Sequence, residues 1–546
     1  MGQSEQLPDD VWGTLRYIAV RLWNRWTWSD PSGGEGNKPG PDRPDRSFVH
    51  FMPGHAVILA EHVELPFNGI QTRTQEELKK LLRAGIPQPL AKPVNSLIDA
   101  VGRLRPTDDM AQSPILTVPR LQDHQGSLIF VDDLQDLSEP ETIRLCDFFN
   151  RQIATDQAKP GDLVLKVVSP DWLSTGSPVS GTGGPGARPI PAPGVDPAHE
   201  PWKFTFEGLA AALLANGGEG VEVAILDTAP PWQDIEAAYA KWQDQHPLLR
   251  SMLGPDGRFD VDGMLRVTYL DHKPAGWDTY QIAGHDYVMS DHGLFVAGII
   301  NSIAPRAKLH LIEVLNPYGV GALQSIARGL LIALQRSSMP RLVINCSLTL
   351  QIPLLGQPKA GLKWDLLSTD CELMKLMGLP LQWICDAVQD QGKRVVAAAG
   401  NDAVHGNRPQ ARYPAAYDSV IGVGALKPDR NPADYSNLSD TPLNIGIATF
   451  GGQSCGTSSH SNALPGVSVL GTYIGTFPDP RPAGTRSRNG WGWWAGTSFA
   501  TPVITGTLAA LLSKTGDVKL AEDELRKAVG QVTSGPIGGV FPVKQG

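Results

Sequence analysis

From residue 220 onward the chain sets out short, mostly apolar runs, several of them separated by stretches with helical spacing. The runs are 221–226, 309–315, 342–346, 394–399, 420–424 and 467–470. The clearest helical stretch sets Leu323, Ile326, Ala327, Leu330, Leu331 and Leu334 on one face. A strand that is apolar on both sides has no face to turn to water, so it belongs in a parallel sheet covered by helices on both faces. The expected fold class is α/β. Function in such sheets gathers at the carboxyl ends of the strands.

Several polar side chains fall at those ends. The run Val221-Glu-Val-Ala-Ile-Leu226 stops at Asp227-Thr228; alone, Asp227 reads as a turn aspartate. In Ser290-Asp-His-Gly-Leu-Phe-Val-Ala-Gly298, His292 opens an apolar helical run and alone is equally a cap or a core residue. Val395-Val-Ala-Ala-Ala-Gly-Asn401 is a buried strand ending in a small-residue turn that carries an amide. In Ala495-Gly-Thr-Ser-Phe-Ala-Thr-Pro502, Gly496 allows a turn, Thr497 and Ser498 suit a helix start, and Leu508, Leu511 and Leu512 follow as a buried stripe. Pro502 is tolerated because it lies so near the beginning. Ser498 would sit at the positive end of the helix dipole, yet alone it is an ordinary cap. Together these residues supply an acid, a base, a hydroxyl nucleophile and an amide donor, the parts that acyl transfer needs.

In these segments the sequence resembles the subtilisin-like serine proteases, the subtilases. Asp227, His292 and Ser498 follow the family's order of Asp, His and Ser. Ala304-Pro-Arg-Ala-Lys-Leu309, Val343-Ile-Asn-Cys-Ser-Leu348, the stretch 413–425 and Tyr435-Ser-Asn437 are similar to further family segments. The resemblance runs from about 220 to 514 and leaves the first 200 residues uncovered. It implies a subtilisin-like sheet and a serine endopeptidase acting on a protein or peptide. Ser498 would be the nucleophile, His292 the general base, Asp227 its orienting partner, and Asn401 an oxyanion donor. Ser347, Leu348 and Thr349, with Ala398, Ala399 and Gly400, would form the two walls of the substrate pocket. Asp402, at the rim, would favour a basic side chain there or stand as a solvated turn carboxylate. Three positions depart from the family pattern: Thr349 and Ala229 stand where glycine is usual, and Leu294 where threonine is. They bear on preference more than on the chemistry. No cofactor is required; structural calcium, common in the family, stays open, though no calcium-loop motif is present. The cluster His285, Asp286, Asp291 and His292 lacks the helical motif of a metalloprotease.

The remaining chain divides by composition. Residues 1–46 hold an amphipathic Trp/Arg helix over 11–28 and a linker; 47–173 mix short strands and helices in a separate α+β domain. Residues 174–200 form a Gly/Pro linker, since 14 of the residues from 174 to 194 are Gly, Pro or Ser. The catalytic domain then occupies 201–546, with the segment 351–380 read as an insertion. The N-terminal domain is expected to act either as a cleavable prodomain, making the chain a zymogen, or as a regulatory module for a protein partner. A net charge of −9 gives no footprint for nucleic acid. No apolar run is long enough to span a membrane, and the acidic start lacks the shape of a signal peptide, so a cytoplasmic chain is expected. Five scattered cysteines argue against a disulfide framework. The competing reading is a catalytically silent member of the fold that serves as a binding scaffold.

Overall fold

The computed structural model describes the chain from residue 51, except 63–79, 81–90, 106–112, 122–123, 133, 135–136, 138–141, 143–144, 147, 151–163, 177–186, 210–216, 253–263, 271–286, 338, 351–366, 404–407, 440–445, 456–460, 479–484 and 531–536. The helix expected over 11–28 lies outside the described residues, as does nearly all of that expected over 74–82. Two compact units emerge, dividing between Trp172 and Leu173, with residues 355–380 assigned to the first.

The first unit contains β1 (Phe51–His62), α1 (Ala91–Arg103), β2 (Ile115–Leu121), β3 (His124–Val131) and most of β4 (Val164–Gly176). Its antiparallel sheet runs β4-β1-β3-β2, with Ile58 opposite both Ile129 and Val168. Helix α1 turns Val94, Leu97, Ala100 and Val101 inward, an i, i+3, i+4 stripe that the sheet covers.

The second unit begins with the last four residues of β4, then β5 (Ile190–Pro191) and β6 (Phe204–Phe206). There follow β7 (Val221–Asp227), α2 (Trp232–Trp242), β8 (Leu265–Thr268), α3 (His292–Ile303), β9 (Lys308–Glu313), β10 (Val320–Ala322) and α4 (Leu323–Arg336). Next come β11 (Arg341–Cys346), β12 (Leu348–Leu350), the end of α5 (Leu367–Asp390, of which only residues 381–390 belong to this unit), β13 (Arg394–Ala398), β14 (Val420–Leu426), β15 (Ile447–Phe450) and β16 (Val469–Thr472). A hairpin, β17 (Thr476–Phe477) and β18 (Thr485–Arg486), leads to β19 (Trp491–Trp494), α6 (Thr497–Thr515), α7 (Val518–Ala528), β20 (Gly539–Val540) and β21 (Val543–Gln545).

Eight strands form the central sheet in the order β20-β15-β14-β13-β11-β7-β9-β8. Every neighbouring pair is parallel, as continuous apolar runs require. Strand β7 shows how both faces are covered. Val221, Val223 and Ile225 join the core cluster that includes α3 and α6 residues, while Leu226 points the other way, against Gly329 of α4. The expected α/β architecture, with helices on both sides and a separate α+β unit, is the one observed.

The linker expected over 174–200 is more structured than its composition implies. Leu173–Ala322, Ser174–Gly321 and Thr175–Val320 pair antiparallel on one side of β4. Ser174–Leu350, Thr175–Thr349 and Gly176–Leu348 pair on the other. Further on, β5 adds to β19 and β6 pairs with β21. Gly and Ser keep a free chain soft and Pro stiffens it only locally, but an extended chain needs only unpaired strand edges to be ordered.

Candidate active site

Strand β7 delivers Asp227 to the carboxyl edge of the sheet, fully buried. Its Oδ1 accepts the backbone N–H of Thr228 at 2.7 Å and bonds Nδ1 of His292 at 2.6 Å. A carboxylate oxygen only accepts, so the proton of that second bond belongs to Nδ1; in the neutral ring this tautomer places the lone pair on Nε2. Nε2 is buried with no hydrogen-bond partner. The glycine after His292 is explained by this approach: a Cβ on Gly293 would lie 2.2 Å from the Thr228 carbonyl and 2.9 Å from the Asp227 Cβ. The Thr228 hydroxyl secures the junction by sharing its one proton between the carbonyls of Met289 and Ser290, and accepts from the Gly293 N–H.

Ser498 is the second residue of α6. Its local geometry follows from Pro502, which has no N–H to offer the carbonyl four residues back. That carbonyl is Ser498's own, and the Ser347 hydroxyl donates to it at 2.8 Å. In return Ser498 Oγ donates to the Ser347 carbonyl at 3.2 Å. Asn345 Nδ2 holds the Ser347 hydroxyl at 2.9 Å, and Thr505 Oγ1 holds Asn345 Oδ1 at 2.8 Å. Asn345 and Thr505 therefore lock β11 to α6. Sequence reasoning passed over both, since an Asn inside a strand and a Thr inside a helix carry no signal until the two meet.

Asn401 approaches the same helix start. Its Oδ1 accepts the backbone N–H of Thr497 at 3.1 Å and that residue's hydroxyl at 3.0 Å, which leaves Nδ2 buried and without a partner. The turn that places it depends on Gly400, at φ +111°, where a Cβ would also fall 2.6 Å from Asn437 Nδ2. Asn437 in turn accepts the Asp402 N–H at 2.7 Å and donates to the Ala399 carbonyl at 3.2 Å.

The remaining candidates separate into two groups. Leu348 and Thr349 lie on β12, buried, with their backbone laddered to Thr175 and Gly176. The Ser174 hydroxyl donates to the Thr349 carbonyl at 3.0 Å. Ala398, Ala399 and Gly400 close β13 and are buried; the Ala399 and Gly400 carbonyls accept from the N–H groups of Arg412 and Asn437. Asp402 is placed differently from either sequence reading. It is 2% exposed, and Arg412 grips it through Nε at 2.6 Å and Nη2 at 2.9 Å while Asn437 donates to Oδ2 at 2.9 Å. Its charge is answered inside the protein, so it is neither solvated nor presented to a substrate.

Asp291, beside His292, is buried, and this pushes its carboxyl up to about 6 although the N–H groups of Ile474 and Gly475 bond its Oδ1. His285 and Asp286 lie outside the described residues. Among the described residues no group of three or more His, Cys, Asp or Glu side chains is placed to hold a metal ion, and no helix is long and apolar enough to cross a membrane.

The subtilase family model (Peptidase_S8) matches residues 218–533, more than half of the chain. Subtilisin DY of Bacillus licheniformis is 29% identical over 266 residues, 46% of this chain and 75% of that protein. Subtilisin E of Bacillus subtilis (strain 168) is 31% identical over 234 residues, 41% of this chain and 46% of that protein, so the chain spans under half of that relative. Among solved structures, the prenylagaramide maturation protease PagA aligns over 59% of this chain and 88% of its own, with a TM-score of 0.35 at 20% identity. The parallel sheet, the order of its polar edge residues and the extent of the family match lead to one assignment: this chain belongs to the subtilase family and carries a subtilisin-like serine endopeptidase domain.

Proposed function

We propose that the chain hydrolyses peptide bonds through an acyl-enzyme on Ser498, and that its own residues Leu173–Gly176 hold the substrate groove in the uncut form. The carrying observation is a pair of buried nitrogens without partners, His292 Nε2 and Asn401 Nδ2. They belong to side chains that touch the residues on either side of Ser498: Asn401 bonds Thr497, and the His292 ring packs on Phe499 at 5.3 Å. One nitrogen is a base and the other a donor.

In the reaction Ser498 Oγ leaves the Ser347 carbonyl, a rotation about one side-chain bond, and attacks the substrate carbonyl carbon. Its proton passes to His292 Nε2, and Asp227 faces the resulting imidazolium through the Nδ1–H bond. The oxyanion accepts from Asn401 Nδ2 and from the Ser498 backbone N–H, which at the first turn of α6 has no helical partner. The proton on Nε2 then goes to the departing amine as the C–N bond breaks, and water repeats the sequence on the ester.

A second reading, the silent scaffold, is favoured by one feature: Ser498 Oγ bonds Ser347, and His292 Nε2 is left unbonded. A fluorophosphonate probe separates the two. The folded chain should label at mildly alkaline pH and Ser498→Ala should not, with turnover lost by about 10⁶-fold, the magnitude established for subtilisin itself. Absence of label both in the folded wild-type chain and in Leu173→Asp, which frees the groove, overturns the protease reading in favour of the scaffold.

A further inference from the structure

The arm 187–206 and strand β21 lie outside the family match, yet both are built into the unit that holds Ser498. The arm is fastened along its length. Arg188 donates its N–H to the Ser461 carbonyl at 2.7 Å and accepts from the Ala463 N–H at 3.0 Å. Ile190 and Pro191 pair with Trp493 and Gly492. Asn489 Nδ2 donates to the Ala192 carbonyl at 2.7 Å, and Trp202 stacks on Trp491 at 4.9 Å. At its far end β6 pairs with β21.

At the head of the arm, the Ala187 carbonyl accepts the indole N–H of Trp494 at 2.7 Å, and both residues are fully buried. An indole has a single donor, so this bond fixes the ring about its own long axis. The ring so fixed stands edge to face with His292, centroids 5.3 Å apart at 84°. It also packs on Phe499 at 5.0 Å, Phe295 at 5.7 Å and Tyr473 at 5.9 Å. Asp227 holds one nitrogen of His292; Trp494 and Phe499 bound the rest of the ring.

We propose that Trp494 is a positioning residue for His292, set by the Ala187 carbonyl, and that the arm 187–206 is a working part of the catalytic unit. This rests on the reading of His292 as the base. A cut within 177–186 leaves the arm attached to the catalytic unit, so the positioning survives any removal of the chain before it.

The test is made in the full-length protein. Trp494→Phe keeps an aromatic ring and deletes the donor; Trp494→Leu removes both; Asn489→Ala loosens the arm at Ala192, away from His292. A misplacement near 1 Å costs up to about 10²-fold, so kcat should fall about tenfold in Trp494→Phe and about 10²-fold in Trp494→Leu, with KM nearly unchanged. Asn489→Ala should give a smaller fall in kcat of the same kind. A merely structural role would lower Tm and leave the kcat of the folded fraction alone. The far-downfield proton of the Asp227–His292 bond, followed by NMR, should shift or broaden in the same order. That signal needs no turnover, so it decides the positioning even if neither the wild-type chain nor Leu173→Asp takes the fluorophosphonate label, the outcome that counts against the protease reading alone. Wild-type kcat and an unmoved downfield proton in folded Trp494→Phe and Asn489→Ala overturn the proposal, whether or not Trp494→Leu folds.

Discussion

At the scale of single residues, Asp291 is the clearest conflict between burial and charge. Its carboxyl is buried beside His292 and raised to about 6, with burial the larger cause and the Ile474 and Gly475 N–H groups opposing it. A carboxyl raised in the folded state contributes stability that is complete below its unfolded value near 4 and is lost as pH rises through about 6. The gap of about two units corresponds to roughly 3 kcal/mol. Both backbone bonds go to Oδ1, which an amide also has. Asp291→Asn should therefore raise stability at pH above about 6 by up to that amount, and the gain should vanish toward about pH 4. Urea unfolding across that range measures it; a gain that does not depend on pH would show that ionisation is not the cause. The same scale shows why local sequence misleads. Asp402 follows a turn and looks solvated, because Arg412, which takes both its oxygens, stands ten positions on and meets it only in the fold. Asp227, His292, Asn401 and Ser498 are legible because each ends or opens an element with a strong apolar pattern.

At the scale of elements, the parallel strands are readable for the same reason: β7, β11, β13 and β14 are mostly apolar on both faces, and a parallel sheet covered by helices buries such runs on both. The second half of strand β4 is hidden in the sequence, because Ser-Pro-Asp-Trp-Leu-Ser-Thr-Gly has the composition of a loop. It continues to Gly176 because its backbone finds two edges, a cause that no side-chain period records. The arm was hidden likewise, its prolines reading as a spacer. It meets a stack in which His246 lies against Trp491 at 3.9 Å and Trp491 against Trp202. Burial in that stack lowers the His246 imidazole to about 4, although Nε2 bonds the Asn489 carbonyl at 2.9 Å. A histidine lowered on folding contributes stability that is present above about 6.5 and lost as pH falls toward about 4. The loss amounts to about 3 kcal/mol over that window. His246→Gln can keep the bond to Asn489 and cannot be protonated. Its unfolding free energy should fall less between about pH 7 and pH 4 than that of the wild type; an equal fall would place the acid sensitivity elsewhere.

At the scale of the whole molecule, one strand carries the regulatory argument. Leu173 and Ser174 are buried within the second unit, and the backbone of Ser174 and Thr175 is paired on both sides, with Leu173 joined to one edge and Gly176 to the other, as an extended substrate would be. An occupant tethered to the same chain competes at high effective concentration, so the groove should be closed to substrate while the tether is intact. Leu173→Asp places a charge where a leucine is 4% exposed. Ser174→Pro removes the N–H and the hydroxyl that meets the Thr349 carbonyl. Either change should release the strand and raise the activity of the uncut chain toward a short peptide by at least about tenfold, mainly through a lower apparent KM. Intact mass must be read beside the rate, because it separates the two roles open to the N-terminal unit. A wild-type chain that shortens to a start between residues 177 and 187, and fails to do so as Ser498→Ala, carries a prodomain. A chain that keeps its full mass and is activated by Leu173→Asp carries a permanent regulator that some partner must lift. If the full-length wild type already matches the variants in rate, the strand does not hold the groove in solution, and both roles fall together.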